Sequence, residues 1–137
     1  MKDNCKPIFI LTLALLSIML LLTPGCKRKL SADDALTLAR VRETIVPFVS
    51  DYSISNWQFP ESYAAMISAG MEPPINPYTG QPMVDTGTEQ FDPQTSPGNI
   101  HYVPINDQAG MIGNFSIFVF GKRGVLRHIR PSPLAAD

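Results

Sequence analysis

The sequence predicts an α+β domain in which a kinked amino-terminal helix and a short second helix pack on a three- to four-stranded antiparallel sheet. Apolar residues recur every three or four positions as Leu38, Val41, Ile45, Phe48 or Val49, and Tyr52, drawing one stripe along a helix. The last third of the chain holds three β-type runs, 99–105, 112–120 and 124–130, with turn chemistry at 106–110 and 121–124. In the central run Phe115, Ile117 and Val119 alternate with Asn114 and Ser116, so one face is apolar and needs the helical stripe to cover it. Phe118 and Phe120 make the other face less polar at one end.

Each element has local signals. Ser31 is placed to accept a backbone N–H as helix N-cap, and Asp33 and Asp34 suit the positive end of the helix dipole. Pro47 removes a hydrogen bond and crowds the carbonyl of Glu43, so the helix is expected to kink or restart near Val46. The helical pattern fades over residues 53–56. A second helix is expected over 60–69, opened by Pro60 and ended by Gly70, with Tyr63, Met66 and Ile67 on its apolar side. Prolines 73, 74, 77, 82, 93 and 97 and glycines 80, 87 and 98 exclude a long helix over 71–98 and leave room for at most a short strand around 83–85.

The amino terminus carries an address. Lys2 and Lys6 precede about fifteen mostly apolar residues, 8–22, then a Pro24-Gly25 break, Cys26, and the triplet Lys27, Arg28, Lys29. This is the pattern of a secretory signal peptide of the lipoprotein kind. The stretch Leu22-Thr23-Pro24-Gly25-Cys26 resembles the bacterial lipobox, with Thr23 where that motif usually has leucine and Leu22 one place earlier. The resemblance implies a leader over 1–25, a mature chain beginning at Cys26, and lipidation of the Cys26 thiol. The competing reading is an uncleaved transmembrane helix between Lys6 and Lys27. Both place the following residues outside the cytoplasm, and the basic triplet argues against the uncleaved form, because positive residues favour the cytoplasmic side. Residues 26–30 then form the lipid anchor and basic linker, 31–130 one domain, and 131–137 a tail. With Cys5 lost and Cys26 acylated, no disulfide forms within the mature chain, and stability rests on packing.

Charge is segregated. The stretch 43–121 holds eight acids and no Lys or Arg, while the basic residues of the mature chain lie in 27–42 and 122–130. A nucleic-acid partner is excluded, since such binding needs a phosphate-neutralising surface. His101 and His128 fall on the first and third expected strands, apart from one another, and read as structural or exposed residues. Asp85, Glu89 and Asp92 gather in the long loop with the ligand type calcium prefers but without a calcium-motif spacing. No nucleophile has a glycine-framed setting and no phosphate cradle follows a strand, so no catalytic residue, metal or cofactor is assigned. Trp57, Phe59, Tyr63 and Tyr78 are expected to cluster at the helix-to-loop corner, as a secondary core or as an exposed patch for a protein partner. Met66, Met71, Met83 and Met111 suit either setting.

The segments Trp57-Gln58-Phe59-Pro60-Glu61-Ser62, Ile75-Asn76-Pro77-Tyr78-Thr79-Gly80-Gln81-Pro82, Pro97-Gly98-Asn99-Ile100-His101-Tyr102 and Phe118-Val119-Phe120-Gly121, in this order after a helix, resemble the globular part of type IV pilin-like proteins, especially type II secretion pseudopilins. The likeness covers about residues 31–130. It implies a sheet wrapped on the amino-terminal helix and a place in a secretion or pilus system. Pilins retain a hydrophobic helix after the processed glycine. Here Gly25 is followed by Cys26-Lys27-Arg28-Lys29-Leu30, with leucine where the family has glutamate, so the resemblance implies a pilin-like domain on a lipid anchor without a filament helix. The expected function is that of a non-enzymatic lipoprotein of the bacterial cell envelope, held to membrane lipid through its acyl anchor and engaging an envelope protein partner. The alternative is a surface lipoprotein that binds a small ligand or calcium through the 71–98 loop.

Overall fold

The computed structural model describes residues 29–131; the leader, Cys26 and residues 132–137 lie outside the described residues. The architecture is α+β: a helical rod of 25 residues, α1, followed by a three-stranded antiparallel sheet. Helix α1 runs over residues 32–56 as an α-helical segment Ala32–Arg40, a π-helical turn Val41–Ile45 and a second α-helical segment Val46–Asn56. Ser31 caps it as its sequence setting predicts, accepting the Asp34 N–H at 3.1 Å. The interruption expected from Pro47 takes the form of the π turn, in which Val46 N–H donates to Val41 O and the α-helix restarts at Val46. A widened turn directly before proline relieves the crowding between its ring and the preceding carbonyls.

The helix outlasts its apolar pattern. Residues 53–56, expected to have left it, remain helical. Ser50 Oγ donates to Val46 O, Ser53 Oγ to Ser50 O, Ser55 Oγ to Asp51 O and Asn56 Nδ2 to Tyr52 O, so these polar side chains are held along the helix's own carbonyls. Trp57, with φ +60°, ends the helix in the left-handed region.

The second helix, α2 (Tyr63–Ser68), begins three residues later than Pro60. Pro60 instead lies buried in the approach to it, where its carbonyl accepts the Tyr102 hydroxyl at 2.8 Å. Ser62 takes over as N-cap and accepts Ala65 N–H. At the other end Met71 N–H donates to Met66 O and Gly70 N–H to Ile67 O, with Gly70 at φ +102°. This is a Schellman ending, and it needs glycine at that place. Tyr63 and Met66 face the core as expected, whereas Ile67 is exposed, because six residues are too few to bury more than one narrow side.

The strands are β1 (Ile100–Asn106), β2 (Ile112–Gly121) and β3 (Gly124–Ile129), in the order β1-β2-β3. Phe115, Ile117 and Val119 turn inward and meet Val41, Ile45 and Val49 of α1 and Tyr63 and Met66 of α2 in one core. The helical stripe and the alternating strand therefore cover each other. A β-bulge inserts Leu126 into β3 between the pairs Val119↔Arg127 and Phe120↔Val125. The short strand expected near 83–85 reduces to a single parallel bridge, Asp85↔Ile100, with Thr86 N–H donating to Ile100 O and Ile100 N–H to Val84 O.

The 71–98 loop is ordered around Asn76, which is almost wholly buried. Its Nδ2 donates to Pro97 O and to Asn99 Oδ1, both at 2.9 Å, while its Oδ1 accepts Tyr78 N–H at 2.8 Å. Its backbone N–H donates to Gln81 O and its carbonyl accepts Gly80 N–H. Gly98, at φ +74°, packs so closely that a Cβ there would stand 2.0 Å from Asn76 Oδ1. Asn76→Ala leaves Pro97 O and Tyr78 N–H without a hydrogen bond and takes one of the two that Asn99 Oδ1 accepts, and is expected to cost about 3 kcal/mol, read by urea unfolding. A loss below about 0.5 kcal/mol would mean that the loop is held elsewhere.

Candidate functional site

The sheet register places His101, Phe118 and His128 in one row, since His101 pairs with Phe118 on β2 and Phe118 with His128 on β3. The rings stack: His101 and Phe118 centroids are 6.2 Å apart, and Phe118 and His128 4.2 Å apart. The two imidazoles thus share a face, nearer than two separate strands suggest, with the Phe118 ring between them. His101 Nδ1 lies 2.8 Å from Asp85 Oδ1, which also accepts Gly87 N–H. His128 Nε2 accepts the Arg130 Nε–H at 3.1 Å and is contacted by the Ser116 hydroxyl. Burial and the neighbouring Arg130 guanidinium push the His128 pKa below its ordinary value, against a smaller opposing pull from Glu89.

Ser116 and His128 form the nearest approach to a hydrolytic dyad. Ser116 is buried on the central strand, and the acceptor nitrogen that would take its proton is shared with Arg130. Asp85, the carboxylate of the kind that orients a catalytic imidazole, belongs to the other histidine, across Phe118. The row lacks the base-to-orienter chain that an activated serine requires.

The acidic residues of the loop do not converge. Asp85 turns to His101 and to its own loop, and Asp92 accepts Gln94 N–H and Thr95 Oγ1–H, while Glu89 is exposed on the His128 side. Among the described residues no three His, Cys, Asp or Glu side chains are grouped to hold a metal ion. The carboxylates serve the turns that position them.

The four corner aromatics separate into different roles. Tyr63 is buried and its hydroxyl has no hydrogen-bond partner; burial, with the Asp85 carboxylate adding to it, pushes its pKa up to about 12. Phe59 packs on Phe115 at 5.0 Å. Tyr78 reaches the far end of α1 and donates its hydroxyl to Asp34 Oδ1, which also accepts Lys122 N–H. Burial pushes the Asp34 pKa upward, but the bonds from Tyr78, Lys122 and Ser31 outweigh it and hold the carboxyl below its usual range. Trp57 alone is fully presented, 89% exposed. It shares the end of α1 with Ile54, three residues earlier and 75% exposed. Phe59 N–H donates to Ile112 O, which brings this corner beside half-exposed Met111 at the start of β2. Met66, Met71 and Met83 are core residues.

The opposite end of α1 lies against the β2–β3 turn. Lys29, Leu30, Ser31 and Asp34 face Lys122, Arg123, Val125 and Leu126 across a half-open cleft of about 450 Å³. Lys29 and the Lys122-Arg123 pair, far apart in sequence, thus meet at one end. Ile54 and the Lys122-Arg123 tip escaped notice as site residues, the first because it sits where the helical pattern fades. The second was readable from topology, since an antiparallel β2–β3 connection must return to the end where α1 begins.

Cys26 lies outside the described residues, and no described helix is long and apolar enough to cross a membrane. Comparison with protein-family models, curated proteins and solved structures finds no match.

The folded state favours neutral His128, so by proton linkage its stability is full above the ordinary histidine pKa of about 6.5 and declines as pH falls below that value. Thermal melts between about pH 7.5 and pH 5.5 are expected to show a fall in Tm that is smaller in His128→Gln; an equal fall in both proteins would assign the effect elsewhere.

Proposed function

We propose that this chain is a non-enzymatic lipoprotein of the cell envelope whose pseudopilin-like domain holds an aromatic tip away from the membrane for a protein partner, as an accessory of a secretion or pilus system. The observation that carries this reading is Trp57: a large apolar side chain, almost wholly exposed, on a backbone that bulky residues avoid. Positive φ costs a non-glycine residue about 1 kcal/mol or more, and the exposed ring recovers none of it inside the domain. Aromatic anchors of this kind are the residues that dominate protein interfaces.

Position adds to the argument. Helix α1 rises about 1.5 Å per residue, so Trp57 stands about 37 Å from the residues that follow the basic linker. An acyl anchor at Cys26 is attached at the near end, and each buried methylene contributes about 0.8 kcal/mol to its retention in the bilayer. The pseudopilin likeness supports the choice of system. Two of its segments, 75–82 and 97–102, are joined through Asn76, Pro97 and Asn99, so they act as one structural unit. Filament assembly is not part of the proposal, because residues 26–30 are too polar to replace a filament helix.

Two outcomes test the reading. Intact mass spectrometry of the membrane-bound protein is expected to show a chain that begins at Cys26 and carries acyl mass there, and Cys26→Ala placed behind a non-lipoprotein cleavable leader is expected to leave washed membranes; an unacylated Cys26 in the membrane-bound form would remove the lipid anchor. A photo-crosslinking residue in place of Trp57 is expected to capture a secretion or pilus component in intact cells, while Trp57→Gly abolishes that complex and raises stability by about 1 kcal/mol through relief of the positive φ. A Trp57→Gly variant that loses stability would assign the ring to the fold and end the argument for a presented tip.

A further inference from the structure

The geometry points to the β2–β3 turn as a second membrane contact, in which Lys122 and Arg123, together with Lys29, lie on anionic lipid headgroups and seat the domain upright on the bilayer. This rests on the lipid-anchor reading above and extends it from the linker to the folded domain.

Four observations carry it. Lys122 and Arg123 form the exposed tip between Gly121 and Gly124, and among the described residues neither is ion-paired. The tip is fixed to the start of α1, because Lys122 N–H donates to Asp34 Oδ1 at 3.0 Å. A Cβ at Gly121 would stand 2.3 Å from that same oxygen and 2.5 Å from Leu126 Cδ2, so the close approach depends on glycine. The described chain begins at this end, and Cys26 precedes Lys29 by three residues, a covalent reach of at most about 11 Å. Whatever holds Cys26 in a bilayer also holds the turn at its surface.

The surroundings select the partner. Leu30 and Val125 are 47% and 48% exposed on the rim of the cleft, beside the cations, an arrangement suited to the boundary between headgroups and acyl chains. A free anion entering the cleft would meet the Asp34 carboxylate on its wall. A flat anionic surface touches the cations at the rim and leaves Asp34 behind them. The stretch 43–121, with eight acids and no Lys or Arg, is repelled by the same surface, which gives the contact a direction.

The test uses full-length protein purified from membranes, with Val125→Cys carrying a polarity-sensitive dye, in nanodiscs of phosphatidylcholine alone or mixed with phosphatidylglycerol. A blue shift of the dye is expected only with phosphatidylglycerol, reversed in about 1 M salt, where screening shortens to about 3 Å. Lys122→Gln is expected to reduce the bound population about fivefold, and Lys122→Glu with Arg123→Glu to abolish the shift. Trp57 emission stays that of a water-exposed ring throughout. Equal dye emission in both lipids, indifference to charge reversal, or a shift produced by inorganic phosphate without anionic lipid would overturn the proposal. A second dye on Cys26, seen by intact mass, reports failure of the anchor itself. The turn is then still judged by cosedimentation with anionic against neutral vesicles.

Discussion

The fold depends on one buried amide. Between the end of α2 and the start of β1 the chain has no regular structure, yet it must cross from the helical side to the edge of the sheet. Asn76 makes that crossing determinate by binding backbone and side-chain groups from both ends of the loop, and Gly98 leaves room for it. Net hydrogen bonds contribute only about 1 kcal/mol each, but losing a partner from a buried site costs about 1–3 kcal/mol per orphan. The asymmetry makes the loop cooperative, since partial release is worse than either full closure or full exposure to water. Asn99 extends the same logic, accepting Val84 N–H while donating to Thr95 O.

That loop in turn decides where chemistry can and cannot occur. By bringing Asp85 to His101 and Phe91 toward Phe120, it covers the outer face of the sheet and occupies the groups that a reader would otherwise suspect of catalysis. Tyr78, on the same loop, carries its hydroxyl to Asp34 at the start of α1, where the β2–β3 turn also arrives. Helix, loop and hairpin are therefore tied at the start of α1 through the Asp34 carboxylate, while at the Trp57 end the ties run through Phe59 and Pro60 and leave the Trp57 ring outside them. Carboxylate-centred cross-linking is concentrated at the start of α1, and large apolar exposure at its end.

What was legible in the sequence follows the strength of the periodic signal. The Leu38 to Tyr52 stripe and the Phe115, Ile117, Val119 alternation each bury against the other, and the three strands begin and end within a residue of their sequence boundaries. The Ser31 cap and the Gly70 ending were equally readable, because each is a local demand met by one residue type. The tail of α1 was not, since Ser50, Ser53, Ser55 and Asn56 carry loop-type composition while donating to helix carbonyls. The aromatic corner was misjudged for a related reason: spacing in sequence says which residues are near the corner, not which side of the backbone each leaves from. Tyr63 goes inward, Phe59 onto Phe115, Tyr78 to the far end, and Trp57 outward.

The unequal use of tyrosine hydroxyls sharpens the contrast between packing and function. Tyr102 donates to Pro60 O in the interior, and burial raises its pKa so that it stays a donor across the physiological range. Tyr63, equally buried, has no partner for its hydroxyl. A lone unsatisfied hydroxyl within an apolar core is a cost of about 1–3 kcal/mol, comparable with the strain at Trp57. The two costs differ in kind. Tyr63 still returns the burial of a large ring to the core, so its place is explained by packing even with the hydroxyl unpaired. Trp57 returns nothing to the isolated domain, neither burial nor a cap that glycine or asparagine would not supply better. An exposed ring on strained backbone is therefore a local cost that the packing of the rest of the domain carries.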